Sequence, residues 1–190
     1  VRFIPGTDGK RPMPPGRGSS HVHMLRAGDE IAYSGPFGDF ALATDASEHV
    51  FIGGGAGMGP LRAMIHAQLA SGERTPVRYW YGARSLEDTP YLDELQALAQ
   101  QHAHFSWTLV LSEQAHPAHL HGWVHDAFKA AMLDRPGELG GTRFYVCRPP
   151  AMLAATPRSL RGAGFPDVAS PGSHLRAVAH GVVVDGDVRA

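Results

Sequence analysis

Gly53-Gly54-Gly55-Ala56-Gly57-Met58-Gly59-Pro60 follows the apolar segment His49-Val50-Phe51-Ile52 and precedes Leu61, Met64, Ile65 and Leu69, which recur at helical spacing. A strand, a glycine turn and a helix start are therefore written in order. Glycines without Cβ reach backbone conformations with positive φ and let a ligand approach the main chain. The new helix aims its unpaired N–H groups and the positive end of its dipole at the same place, which suits an anion. Pro60 belongs in the first helical turn, where no N–H is needed. Taken alone, such a string also suits a glycine-rich turn without a ligand, but the flanking strand and helix favour a nucleotide diphosphate.

The alternation continues downstream. Val77-Arg78-Tyr79-Trp80-Tyr81 reads as a strand, with its aromatic trio as strand core and edge, not a stacking platform. A helix carrying Leu92, Leu95, Leu98 and Ala99 leads to the strand Phe105–Leu111, and a helix carrying Val124, Ala127, Phe128 and Ala131 leads to Phe144-Tyr145-Val146-Cys147. Strands alternating with helices imply an α/β fold with a parallel sheet covered on both faces and ligands at the carboxyl ends of its strands. Gly53 and Cys147 both fall at such ends. This domain is expected to span residues 46–169.

Residues 1–45 differ in texture, with Pro5, Pro12, Pro14, Pro15 and short alternating stretches at Ser20-His21-Val22-His23-Met24 and Glu30-Ile31-Ala32-Tyr33. They read as a β-rich, turn-rich piece, the end of a barrel whose first strands are absent. Past residue 154, Pro157 interrupts the helix begun at Ala151-Met152-Leu153, so a weakened last helix is expected there. Residues 170–190 read as an irregular, poorly ordered tail in which Val182-Val183-Val184 is either a last strand or unpacked chain.

Composition sets the outer limits. The 190 residues are 43% hydrophobic, enough for one full domain or one domain and a piece of another. A net charge of −1 gives no electrostatic footprint for nucleic acid or an anionic membrane surface. There is no apolar run of about 18 residues and no signal-peptide pattern, so a soluble, cytoplasmic chain is expected. The single cysteine, Cys147, excludes an internal disulfide and cannot by itself hold an iron–sulfur cluster, which takes about four such ligands. His116, His119, His121 and His125 fit no compact ligand pair on one helix face, and no metal site is expected.

Three further motifs accompany the glycine run in order: Pro15-Gly16-Arg17-Gly18-Ser19-Ser20, Ser34-Gly35-Pro36-Phe37-Gly38-Asp39-Phe40 and Tyr145-Val146-Cys147-Arg148-Pro149-Pro150. Together they resemble the ferredoxin reductase superfamily. The resemblance is strongest to the NADH-oxidising F subunit of sodium-translocating NADH:quinone reductases, through Gly53 to Arg62, Tyr79-Trp80-Tyr81-Gly82-Ala83-Arg84-Ser85 and Leu111-Ser112. It covers residues 1–154.

The resemblance implies a parallel Rossmann-like nicotinamide-binding domain preceded by the C-terminal part of an antiparallel flavin-binding β-barrel. It implies hydride transfer from NADH to FAD, then electron transfer through a ferredoxin-type [2Fe–2S] domain toward ubiquinone in a sodium-pumping complex. The partners are then that domain and membrane subunits, at the cytoplasmic face of the bacterial inner membrane, with no nucleic acid and no membrane insertion by this chain. Because the cofactors carry the redox chemistry, no acid–base pair is required of the protein.

By the same resemblance, Gly16, Ser19 and Ser20 contact the FAD diphosphate, and Gly53, Gly55, Gly57 and Pro60 contact that of NADH. Gly82 and Arg84 lie near its adenosine, and Pro149 and Cys147, the one catalytic residue the resemblance implies, lie beside the nicotinamide. From the residues alone, Arg84 is equally a solvated loop charge and Cys147 a small core residue. No acidic residue stands at the tip of the second strand, so NADH as the preferred donor rests on resemblance.

The family continues its cysteine motif with Gly-Pro-Pro, where this chain has Arg148-Pro149-Pro150. A guanidinium there obstructs or repositions the nicotinamide. The first flavin motif, the four-cysteine domain, the membrane anchor and the family's C-terminal ending are not recognisable. The chain is therefore expected to be a C-terminal fragment, or the product of a truncated or partly frame-shifted reading frame, binding FAD weakly or not at all by itself. Two alternatives remain from the sequence: the reductase of a multicomponent aromatic oxygenase, which shares these motifs, and an inactive nucleotide-binding remnant.

Overall fold

Val50, Phe51 and Ile52 are completely buried, as a central strand of a parallel sheet demands when helices cover both of its faces. The computed structural model describes residues 17–34, 40–133, 141–147 and 181–185. The chain divides into two compact units, residues 1–37 and 38–190. Among its described residues the smaller holds one helix, α1 (Arg17–Met24).

In the larger unit, the central strand is β1 (Glu48–Gly54), every residue of which is buried. It leads through a single 3₁₀ turn (Gly55–Gly57) to α2 (Met58–Ala70), then β2 (Val77–Ala83), α3 (Leu92–Gln101) and β3 (Phe105–Leu111). The short β4 (Leu120–His121), α4 (Val124–Leu133), β5 (Thr142–Cys147) and β6 (Gly181–Asp185) follow. Across the sheet the order is β4-β3-β2-β1-β5-β6. β1 to β5 pair in parallel and β6 pairs antiparallel to β5. Successive connections step outward from β1 to β4, and the one carrying α4 then returns the chain to the other side of β1. The strand order therefore reverses between β1 and β5, and α/β sheets bind ligands in the crevice at such a reversal.

The period-2 alternation of the strands divides the core. Phe51, Tyr79, Tyr81, Leu109 and Tyr145 face Leu61, Ile65, Leu95 and Leu98 of α2 and α3. Val50, Ile52, Trp80, Phe144 and Val146 face Val124 and Phe128 of α4. The expected helical faces and the aromatic trio as core follow directly. Arg62 and Glu94 join α2 to α3 through two 2.7 Å hydrogen bonds.

Three local expectations are corrected. Ser20–Met24 is not a strand but the body of α1. A strand needs a neighbour for its N–H and C=O groups, whereas a helix supplies its own, and a five-residue alternation does not choose between them. Glu30–Tyr33 forms no strand either. Ile31 and Tyr33 are exposed, so no buried face selects the extended pairing that their alternation suggested. No strand of the expected barrel therefore lies among the described residues 17–34. Finally, the segment read as an irregular tail contains a strand, Gly181–Asp185, because the outer edge of β5 offers it a ladder, and this decides between the two outcomes left open for Val182-Val183-Val184. The expected helix at Ala151-Met152-Leu153 lies outside the described residues.

Candidate functional site

The site is built at the carboxyl ends of β1, β2, β3 and β5. Gly53 pairs with Tyr81 on one side and with Cys147 on the other, so the glycine turn and the cysteine occupy adjacent strand ends across the reversal of strand order. Gly54 pairs with Gly82.

Each glycine has its own physical reason. Gly55 has φ +54°, a left-handed conformation in which a Cβ collides with the following carbonyl oxygen. Gly53 is needed for space: a Cβ there would lie 2.9 Å from Leu61 Cδ1 and 3.2 Å from the Tyr79 hydroxyl. A Cβ on Gly82 would lie 2.9 Å from Val124 Cγ1, so Gly82 admits the start of α4. Gly57 is helical, at φ −62°, and caps α2 without a side-chain hydrogen bond. The first turn of α2 holds no acidic residue, and Gly55, Ala56, Gly59 and Pro60 are exposed. An exposed helix start with no side-chain cap and no carboxylate to repel an anion suits a diphosphate, although Met58 N–H is already bonded to Gly55 O and Ala56 O and Pro60 has no N–H to offer.

Arg62, one turn further along α2, is engaged elsewhere. Its guanidinium is held by Glu94 and lies 4.5 Å over the Tyr91 ring. The Arg62 partnership holds the Glu94 carboxyl below the usual carboxylate range despite an opposing effect of burial. The anion-binding capacity of this helix start is thus carried by the backbone.

Sequence reasoning missed the support beneath the turn. The Tyr81 hydroxyl donates to the Gly55 carbonyl at 3.1 Å, and the Tyr79 hydroxyl reaches Met58 Sδ at 3.1 Å. The alternation of β2 contained the signal, since residues two apart share a face, but a hydroxyl's partner cannot be read from period alone.

At the end of β2, Arg84 is largely exposed and forks onto Asp88, with contacts of 2.9 and 3.1 Å. Asp88 raises the Arg84 pKa above its ordinary value, first through the hydrogen bond and then through charge. The adjoining end of β3 is tied in by Ser112 N–H donating to Ala83 O at 2.9 Å and Glu113 N–H to Arg84 O at 3.0 Å. Cys147 is buried, and burial pushes its thiol pKa up. A protonated thiol is a packing surface, not a nucleophile.

The structure thus brings together Gly53, Gly55, Gly57, Pro60, Gly82 and Cys147, with Arg84 just beyond β2. Ser19 and Ser20 lie on α1 of the other unit. Gly16, Arg148 and Pro149 lie outside the described residues. No group of three or more His, Cys, Asp or Glu capable of holding a metal occurs among the described residues.

Residues 51–158 match the family model described as the oxidoreductase NAD-binding domain, which covers more than half of the chain. The chain belongs to that family. This NAD-binding domain is of the ferredoxin reductase type. It is 39% identical over 165 residues to the F subunit of the Na(+)-translocating NADH-quinone reductase of Pseudomonas paraeruginosa, covering 84% of this chain and 39% of that one. The corresponding protein of a Marinomonas species is 35% identical over 169 residues, covering 86% of this chain and 41% of the relative. Among solved structures, a cytochrome P450 reductase from Amycolatopsis superposes with a TM-score of 0.64 at 30% identity, over 77% of this chain and 44% of the other. The chain thus spans about two fifths of the length of these curated relatives. Among the described residues, no helix is long and apolar enough to cross a membrane.

Proposed function

We propose that this chain is the NADH-oxidising part of a flavin reductase, passing reducing equivalents from NADH through FAD and a [2Fe–2S] domain to quinone in a sodium-pumping membrane complex. The register that sets Gly53 against Cys147 across the β1/β5 reversal carries the reading. It gives a dinucleotide two adjacent footholds: a diphosphate cradle at the Gly53 to Pro60 turn and a dry contact at Cys147 for the nicotinamide end. The curated relatives' names support NADH as donor and quinone as acceptor. The P450 reductase likeness supports a second reading, the reductase of an oxygenase system.

For FAD the test is the smaller unit. Ser20 Oγ is buried and makes no hydrogen bond among the described residues. A hydroxyl with open donor and acceptor capacity on the N-terminal half of α1 fits a diphosphate oxygen, so Ser20, with Gly16 and Ser19, would hold that part of FAD. When bound, FAD supplies the change from two-electron to one-electron chemistry.

The chain's own work is positional. The amides of the glycine turn and α2 hold the diphosphate, Gly82 and Arg84 border the adenosine half, and Cys147 keeps water from the reacting end. Positioning is the effective contribution, since displacement by about 1 Å can cost on the order of 10²-fold in rate.

Calorimetric titration of the full chain with NADH and with ADP-ribose, which keeps the diphosphate but lacks the nicotinamide, tests the reading. Both are expected to bind, and Cys147→Ala is expected to weaken NADH more than ADP-ribose. Failure of both to bind the parent chain would overturn the reading.

A further inference from the structure

We infer that Tyr81 is a positioning residue for the dinucleotide: its buried hydroxyl, bonded to the Gly55 carbonyl from beneath the sheet's edge, holds the glycine turn in its anion-binding form. This deepens the proposed function and rests on the NADH site being the Gly53 to Pro60 turn.

The register makes the contact possible. Tyr81 lies beside Gly53 in the β1/β2 ladder, and its side chain faces α2 together with that of Tyr79, two residues earlier. Both side chains are essentially buried, with relative exposures of 1% and 0%, whereas Gly55 and Ala56 above them are exposed. The Tyr81 hydroxyl therefore reaches the turn from inside, opposite the surface open to a ligand.

Its bond is to a particular carbonyl. Gly55 O also accepts the N–H of Met58, closing the 3₁₀ turn. A carbonyl has two lone pairs, and here both are occupied, one by the backbone and one by Tyr81. The bond acts at the residue with φ +54°, where the chain reverses. Pinning that carbonyl inward fixes the peptide plane and keeps its oxygen away from the exposed side. A peptide free to rotate would present a carbonyl oxygen there to an incoming diphosphate, which repels it. Burial pushes the pKa of the Tyr81 hydroxyl up to about 12, so it remains a donor throughout the working pH range. Tyr79 secures the next point, Met58, through its sulfur.

A comparison is built into the fold. Tyr145 has a buried side chain of the same type on β5, and its hydroxyl is likewise bonded to the main chain, accepting Ala43 N–H at 3.0 Å. That contact and its 3.1 Å partner His49 Nδ1 lie away from the glycine turn. Tyr81→Phe and Tyr145→Phe each delete one buried hydroxyl bonded to one backbone group. Tyr145→Phe also removes the His49 contact, so its stability loss should be at least as large, and the binding consequences of the two variants should differ.

The experiment measures three quantities for the full chain and both variants: unfolding midpoint, NADH dissociation constant, and hydrogen exchange at Gly55 to Met58 without ligand. Tyr81→Phe is expected to weaken NADH by roughly three- to tenfold, the scale of one net hydrogen bond, and to speed exchange across the turn by a similar factor. Tyr145→Phe is expected to change neither, at a stability loss at least as large. Equal NADH constants, or unchanged exchange at the turn in Tyr81→Phe, overturn the inference. If the parent chain does not bind NADH, the functional reading fails, while the exchange data still decide whether Tyr81 holds the turn.

Discussion

The two ends of the sheet use polar groups in opposite ways. At the amino end, side chains satisfy one another: Glu48 pairs with Arg78, Asp45 with Arg143 at 2.8 Å, and His49 with the Tyr145 hydroxyl at 3.1 Å. The backbone is closed there too, with Ser47 N–H on Gly141 O at 2.8 Å and His49 N–H on Pro76 O at 2.8 Å. At the carboxyl end, the two β2 hydroxyls support the turn from below, and the exposed helix start has no side-chain cap. The amino end uses most of its hydrogen-bonding capacity on itself, with Thr142 Oγ1 and the His104 ring nitrogens as buried exceptions among the described residues, whereas the exposed helix start at the other end has no side-chain cap. Stability and binding are therefore separable by position along the same strands.

The largest effect should come from the shared centre. Phe51 is fully buried and stacked 4.7 Å from the Tyr145 ring. Phe51→Ala is expected to cost about 3–5 kcal/mol in denaturant unfolding. A loss under about 1 kcal/mol would mean that the centre collapses around the cavity and that the two ends are not braced by a common core.

Gly55→Val comes next and should separate binding from folding. A β-branched residue at φ +54° costs on the order of 1–3 kcal/mol of stability and brings a side chain to the exposed turn. NADH binding should vanish by calorimetry, while Gly55→Asn, better able to adopt that conformation, should retain a folded turn with weakened binding. Unchanged affinity in the valine variant would show that the turn serves folding alone.

The amino end should register acid first. Burial lowers the His49 pKa below its ordinary 6.5, the largest of the influences on it, and burial also lowers that of His104. The unfolded chain then binds these protons more readily than the folded one, so their contribution to stability is fully present above pH 6.5 and is lost as pH drops through that value toward the folded pKa values. Denaturant midpoints from roughly pH 8 to roughly pH 5 should show this shape, with a shallower acid slope in His49→Gln. An identical slope in that variant would place the acid sensitivity elsewhere.

The smallest effect on folding should be at Arg84. Its ion pair with Asp88 is largely exposed, and such pairs contribute about 0–1 kcal/mol. Arg84→Ala should leave the unfolding midpoint nearly unchanged. A fall in NADH affinity in the same variant would assign its guanidinium to the adenosine end, and unchanged affinity would leave it a solvated charge.

The sequence made the open end more legible than the closed one. A glycine run between an apolar strand and an amphipathic helix states its geometry locally, and the strand-end positions of Gly53 and Cys147 follow from the residues alone. The facing of Tyr79 and Tyr81 follows from a period of two. What they touch does not, because Tyr81 reaches Gly55 across 26 positions and Tyr145 reaches His49 across 96. The short segments were least legible. Ser20–Met24 fits either period, and the two-residue β4 is too brief to show one. The Gly181–Asp185 strand depends on a partner far away in the chain.

That last strand has a consequence for handling the protein. β5 lies between β1 and β6, so the antiparallel pairing of Gly181–Asp185 covers its outer row of N–H and C=O groups. Cutting the chain before Gly181 would turn Thr142-Arg143-Phe144-Tyr145-Val146-Cys147 into an apolar sheet border with free valences, a template for another copy's strand. A shortened version designed around the nucleotide site would keep the glycine turn and Cys147 and still be prone to self-association, because five residues from the far end of the sequence, the first of them paired with Cys147, serve as the chain's own protection against aggregation.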